Sequence, residues 1–207
     1  MSRAPSPEIH AALLAAAGRL FYERGIGTTG VDALASAAGV GKPAVYRHFG
    51  SKAGLVVATL AKRDEDRRRT LVQALAQTPP SPVARLTAAV DWQLEWVASK
   101  RFRGCGFIRA AAELEAGGTA AAERAYEHKA WYRRQLQQLA EEAGAPDPVQ
   151  LAMRLALAVE GATTLAFLGD RTEVIEAARQ QAYELIQAAC RTSPDTANQD
   201  RRARGRR

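Results

Sequence analysis

The chain has 207 residues, a formal charge of +7 and an apolar share of 47%. That is enough apolar material for a buried core and excludes a disordered chain. The two cysteines, Cys105 and Cys190, exclude a disulfide framework and fit a reducing compartment. The positive charge is confined to the ends. Residues 1–52 hold six Lys or Arg against three acids, residues 191–207 hold six Arg against two acids, and residues 53–190 balance. A basic N-terminal end points to a polyanionic partner.

Ala and Leu dominate, and no alternating strand pattern of useful length occurs, so the expected fold is all-α. Ser6 and Pro7 open a first helix whose inner face is Ile9, Leu13, Ala16, Leu20 and Phe21, and Gly25 ends it. Val31, Leu34, Ala35 and Ala38 recur at helical spacing, and Gly39 supplies the turn after them. Pro43 suits the first turn of a third helix, Lys42 to Phe49, whose buried face is Val45 and Phe49. Lys42, Ala44, Tyr46, Arg47 and His48 are left for its other faces. A helix, a tight glycine turn and a basic, aromatic second helix make a helix-turn-helix. Ser51 caps a fourth helix reaching about Ala76, and Thr78–Pro82 breaks the chain.

A fifth helix, from Val83 to about Ser99, carries Trp92 and Trp96 on one face. A sixth covers roughly Phe107–Glu115, and a seventh runs from Ala120 to Ala143. The eighth spans Val149–Leu168 and the ninth Thr172–Cys190. Leu151–Leu168 contains Arg154 and Glu160, so it reads as a buried amphipathic helix and not a membrane span. The N-terminus lacks a basic region followed by an apolar stretch, so no signal peptide is expected. The expected organisation is a helix-turn-helix domain over 1–52, an effector-binding and dimerisation domain over 53–190, and a disordered basic tail over 191–207.

Phe21–Gly25 (F-x-x-x-G), Thr29–Val31 (T-x-V), Ala35–Val40 (A-x-x-A-G-V) and Tyr46–Lys52 (Y-x-H-F-x-S-K) occur in that order. Together they resemble the N-terminal signature of the TetR family of bacterial transcription regulators. Gly30 and Gly41 stand where that family commonly has a capping Ser or Thr, and Ala44 where it often has Thr or Ser.

The resemblance implies a recognition helix lying in the major groove of a palindromic operator. Lys42 and Arg47 are then the base readers, suited to guanine O6 and N7, and Pro43 and Ala44 offer apolar contact to a thymine methyl. Tyr46, His48 and Lys52 are implied phosphate contacts, with Thr29 gripping another phosphate at the start of the second helix. The family dimerises through its last two helices. Here Gly161, Ala162 and Thr163 would allow close approach, and Leu155, Val159, Val174, Ala178, Tyr183, Leu185 and Ile186 would supply apolar surface. A small-molecule effector pocket is expected in the middle of the chain, from Trp92, Trp96, Phe107, Glu113, His128, Trp131, Met153 and Phe167. The implied function is a cytoplasmic, nucleoid-associated, sequence-specific regulator, repressing until the effector releases it.

An enzyme is not expected. His10, His48 and His128 lie far apart along the chain without metal-ligand spacing, and no nucleotide or hydrolase fingerprint occurs, so neither metal nor cofactor is expected. Two rival readings stay open. One is a non-specific nucleoid-type DNA binder; the other is a thiol-based redox sensor using Cys105 in Gly104–Gly106.

Overall fold

The computed structural model describes residues 6–114 and 119–190, so the expectations for the 191–207 tail lie outside the described residues. The described residues form helices α1 (Pro7–Arg24), α2 (Val31–Ala37), α3 (Lys42–Phe49), α4 (Lys52–Ala76), α5 (Pro82–Ala98), α6 (Gly106–Glu113), α7 (Thr119–Glu142), α8 (Pro148–Leu168) and α9 (Arg171–Cys190). The fold is all-α, with no strand among the described residues.

Local chemistry sets the helix starts. Ser6, Ser81 and Asp147 accept the free amides of Ile9, Ala84 and Gln150, each followed by a proline in the first turn. Ser51 Oγ accepts from Gly54 N at 2.9 Å and starts α4. At Gly54 an added Cβ would run into the carbonyl of Phe49, so glycine is what lets α4 start this close to the end of α3.

The chain divides into two compact units, each discontinuous in sequence. The first holds the described residues of Met1–Arg69 and Cys105–Lys129, the second those of Thr70–Gly104 and Ala130–Arg207. This differs from a single cut after residue 52. The reason lies in the first unit's core, where Leu13, Leu34 and Val45 are fully buried together with Leu55, Val56 and Leu60 of α4, Phe107 and Ala110 of α6, and Ala121 and Ala125 of α7. Three short helices bury too little by themselves, and the neighbouring helices complete the core.

In the second unit, α8 and α9 pack along each other and both meet α5. Leu86, Leu94, Leu136, Leu155 and Val159 are fully buried there. Asp91 of α5 accepts from Arg179 Nε at 2.9 Å and from the Tyr183 hydroxyl at 2.6 Å, which ties α5 to α9. Burial and the adjacent Asp91 carboxylate push the Tyr183 phenol up to about 12. Among the described helices, α8 is the one long and apolar enough to cross a membrane. Its inner face, from Leu151 through Ala166, is buried in this unit.

The second unit divides the expected dimer surface: Gly161 is exposed and Val174, Tyr183 and Leu185 are half-buried, whereas the other six residues are buried. Leu155, Val159, Ala162, Thr163, Ala178 and Ile186 are buried within the α8–α9 pair, so they hold the unit together and are not available to a partner. Outward apolar surface on α8 comes instead from Val149, Met153, Leu157, Leu165, Phe167 and Leu168. Both faces of α8 are apolar, which is why periodicity alone does not tell them apart.

Candidate nucleic-acid interface

The turn between α2 and α3 is built from Ala38, Gly39 and Val40. Gly39 takes φ +67, and Val40 N donates back to Ala35 O at 3.0 Å. The helix N-caps are Gly30 and Gly41, neither with a side-chain cap bond, which leaves both N-termini without the hydroxyl the family commonly places there. On α3, Val45 is fully buried and Phe49 packs on the core's edge. Lys42, Pro43, Tyr46 and Arg47 are exposed, while His48 and Lys52 are half-exposed. Lys42 Nζ lies 3.1 Å from Asp32 Oδ2 in the first turn of α2.

Two expected DNA contacts are corrected. Ala44 is 4% exposed and belongs to the core beside Val45, because the inner face of α3 is wider than one row of side chains. Its methyl is buried in the core cluster. Thr29 is 1% exposed; its hydroxyl donates to Gly25 O at 2.6 Å and its amide to Ile26 O at 3.3 Å. Both donors close the α1–α2 loop, so Thr29 has neither to offer a phosphate.

His48 and His10, far apart in sequence, come together with ring centroids 5.8 Å apart, and His10 stacks on Phe49 at 4.5 Å. The Nδ1 of His48 is buried with no hydrogen-bond partner. Burial first, then the charges of His10 and Arg47, hold the imidazole below its usual value. A neutral His48 with its proton on Nε2 leaves an unpaired lone pair inside, which costs less than an unpaired N–H. Among the described residues no group of three or more His, Cys, Asp or Glu is placed to hold a metal ion.

The loop ahead of α2 is braced from α6. Glu113 Oε2 accepts from Ile26 N at 2.6 Å and Gly27 N at 2.8 Å, and Arg109 Nη1 donates to Tyr22 O at 3.0 Å. The Arg63 guanidinium lies 4.1 Å over the Tyr22 ring, where burial lowers its pKa. Between these groups is a cavity of about 20 Å³, room for a single water. Sequence reasoning missed this brace, since its partners are 86 and 87 residues apart.

The eight expected effector-pocket residues are divided between the two units. Phe107, Glu113 and His128 belong to the first unit and the other five to the second. Glu113 is engaged in the loop brace. His128 is buried, stacks on Phe107 at 3.9 Å and donates from Nδ1 to Asp64 Oδ1 at 2.7 Å. Within the second unit, Trp92 donates to Thr70 Oγ1 at 3.2 Å, Trp96 meets Phe102 edge-on at 4.9 Å, and Trp131 is buried beside Tyr132. Met153 and Phe167 are 40% and 55% exposed on the outer side of α8. These aromatics are core and surface residues at helical spacing. Cys105 is buried as the N-cap of α6.

The profile described as bacterial regulatory proteins, tetR family, matches residues 13–59, which span α1 to the first turns of α4. A TetR-type transcriptional regulator from Streptomyces avermitilis is similar along its length, at 31% identity, covering 87% of this chain and 97% of that one with a TM-score of 0.71. The chain belongs to the TetR family. It is a DNA-binding transcriptional regulator of that family. A second TetR-family regulator, from Streptomyces coelicolor, superposes with a TM-score of 0.82 at 27% identity, over 88% of this chain and 96% of that one. The transcriptional activator FasR of Mycolicibacterium smegmatis is 39% identical over 90 residues, which is 44% of this chain and 41% of FasR. The regulator TtgR of Pseudomonas putida is 45% identical over 53 residues, 26% of this chain and 25% of TtgR. The chain thus matches less than half the length of these two curated relatives.

Proposed function

We propose that this TetR-family protein is a homodimeric repressor that reads a palindromic operator and is released by a small-molecule effector. The observation that carries the reading is α3, which buries Val45 and turns Lys42, Pro43, Tyr46 and Arg47 to solvent. Lys42 and Arg47 would read guanine O6 and N7, and Pro43 would lie against a thymine methyl. Tyr46, His48 and Lys52 would hold phosphates, His48 as a neutral donor.

A single helix-turn-helix reads only a few base pairs, so a second copy is needed for a usable site. The outward apolar side chains of α8 support pairing through this helix. Leu157 also lines an open groove with Arg154, Ala158, Gln181 and Leu185, between α8 and α9. The effector is a ligand that binds better to the conformation unable to hold the operator. Such a protein works in the cytoplasm beside the nucleoid.

Selection from a random duplex pool tests this reading. A palindromic consensus bound with steep salt dependence is expected. Recovery of unrelated sequences would favour the non-specific nucleoid reading instead. A reporter placed behind the selected site fixes the sign: FasR is an activator by name, and the present protein is expected to lower expression.

A further inference from the structure

Asp32 is the one acidic residue between Arg24 and Asp64, a stretch that holds Lys42, Arg47, Lys52, Lys62 and Arg63. It sits in the first turn of α2, where a carboxylate suits the helix dipole. Helix stabilisation alone does not account for its direction. The carboxylate reaches across the turn to Lys42 Nζ at 3.1 Å, at the first position of α3. The side chain of Asp32 is 79% exposed and that of Lys42 49%, so both charges are open to solvent at the start of α3. A carboxylate on a phosphate-facing surface repels the backbone, and this one pairs with a base-reading lysine. A lysine is a compact charge on a flexible stem, and untethered it settles on any phosphate in reach.

We propose that Asp32 is a specificity determinant that acts through Lys42, holding its ammonium at the start of α3 and away from indiscriminate phosphate contact. Asp32 is thus a positioning residue, and the inference rests on the DNA-binding reading of α3. On DNA of arbitrary sequence, the pair is electrically neutral and adds nothing to counterion release. At the operator, Lys42 exchanges the Asp32 carboxylate for guanine acceptors, so the tether is given up only where a base replaces it.

The test measures binding by fluorescence anisotropy across about 50 to 200 mM salt. The probes are a random-sequence duplex and the duplex recovered by selection. Full-length wild type is compared with Asp32→Asn, Asp32→Glu, Lys42→Ala and the double variant Asp32→Asn/Lys42→Ala. Asp32→Asn is expected to bind the random duplex about three- to tenfold more tightly and to steepen its salt slope by about 0.9, one added phosphate contact. The selected duplex gains less, so the preference for it falls. Asp32→Glu restores the wild-type slope, and in the Lys42→Ala background Asp32→Asn relieves repulsion on both duplexes alike and leaves the preference between them unchanged. An unchanged random-duplex slope in Asp32→Asn, with its thermal unfolding as in wild type, overturns the proposal. So does a loss of preference of the same size without Lys42, since Asp32 would then not act through that lysine. Wild type that binds neither duplex overturns the reading of α3 itself, a separate outcome.

Discussion

Arg47 and Lys52 carry the same charge in different settings, and their variants separate reading from holding. Arg47 is exposed on α3, whereas Lys52 is half-buried at the start of α4. Arg47→Ala is expected to cost about 1–3 kcal/mol on the selected duplex and little on a scrambled one. Lys52→Ala is expected to weaken both equally and lower the salt slope by about 1. Equal losses on both duplexes for Arg47→Ala would remove it from the set of base readers. His128 gives a residue-level prediction of another kind. Burial brings its pKa from 6.5 to about 4, against the opposing pull of Asp64. Between those values the unfolded chain takes up a proton that the folded chain refuses, so stability falls as pH falls through this window. The full loss is about 3 kcal/mol. Unfolding midpoints taken from about pH 7 down to about pH 4 should drop more in wild type than in His128→Asn.

Helix by helix, the boundaries at Ser6, Gly25 and Ser51 were legible, whereas the caps Ser81 and Asp147 were not read from the sequence and start α5 and α8 at Pro82 and Pro148, one residue ahead of the expected Val83 and Val149. Side-chain direction was less legible. Ala44 carries too little apolar weight to mark a face, and Thr29 looks alike in sequence whether its hydroxyl points in or out. On α8 the inner and outer faces are both apolar, so Leu155 and Leu157 were separable only by packing. Leu155 is fully buried and Leu157 is 65% exposed. Leu157→Glu therefore leaves the unit's core intact and places a charge on the proposed dimer face. Sedimentation should show a monomer with unchanged helix content; a dimer that persists would move the interface elsewhere. The Glu113 brace joins α6 to a loop far away in sequence, beyond any local pattern. Glu113→Ala deprives two amides of a charged acceptor and should cost about 1–2 kcal/mol, discounted for partial exposure. Faster hydrogen exchange at Ile26 and Gly27, reversed in Glu113→Gln, would tie that loss to the loop.

At the scale of the whole molecule, the proposed operator geometry follows from the proposed two-fold pairing. Two copies related by a two-fold axis present two recognition helices about one DNA turn apart, roughly 34–36 Å. Half-sites at that spacing face the same side of the duplex. Inserting about five base pairs between them turns one half-site to the opposite side, where a rigid dimer cannot engage both. Affinity should fall at least about 100-fold, since several base-edge contacts worth about 1–3 kcal/mol each are lost together. Adding a further half turn restores the facing but doubles the separation, so binding should not recover. The Leu157→Glu protein supplies the control. As a monomer it engages one half-site at a time, so its weaker binding should be the same on all three duplexes. If wild type tolerates the half-turn insertion as Leu157→Glu does, the protein reads half-sites independently and the two-fold arrangement is wrong. If both proteins lose affinity alike, the inserted base pairs belong to the recognised sequence, and spacing has to be probed from outside them.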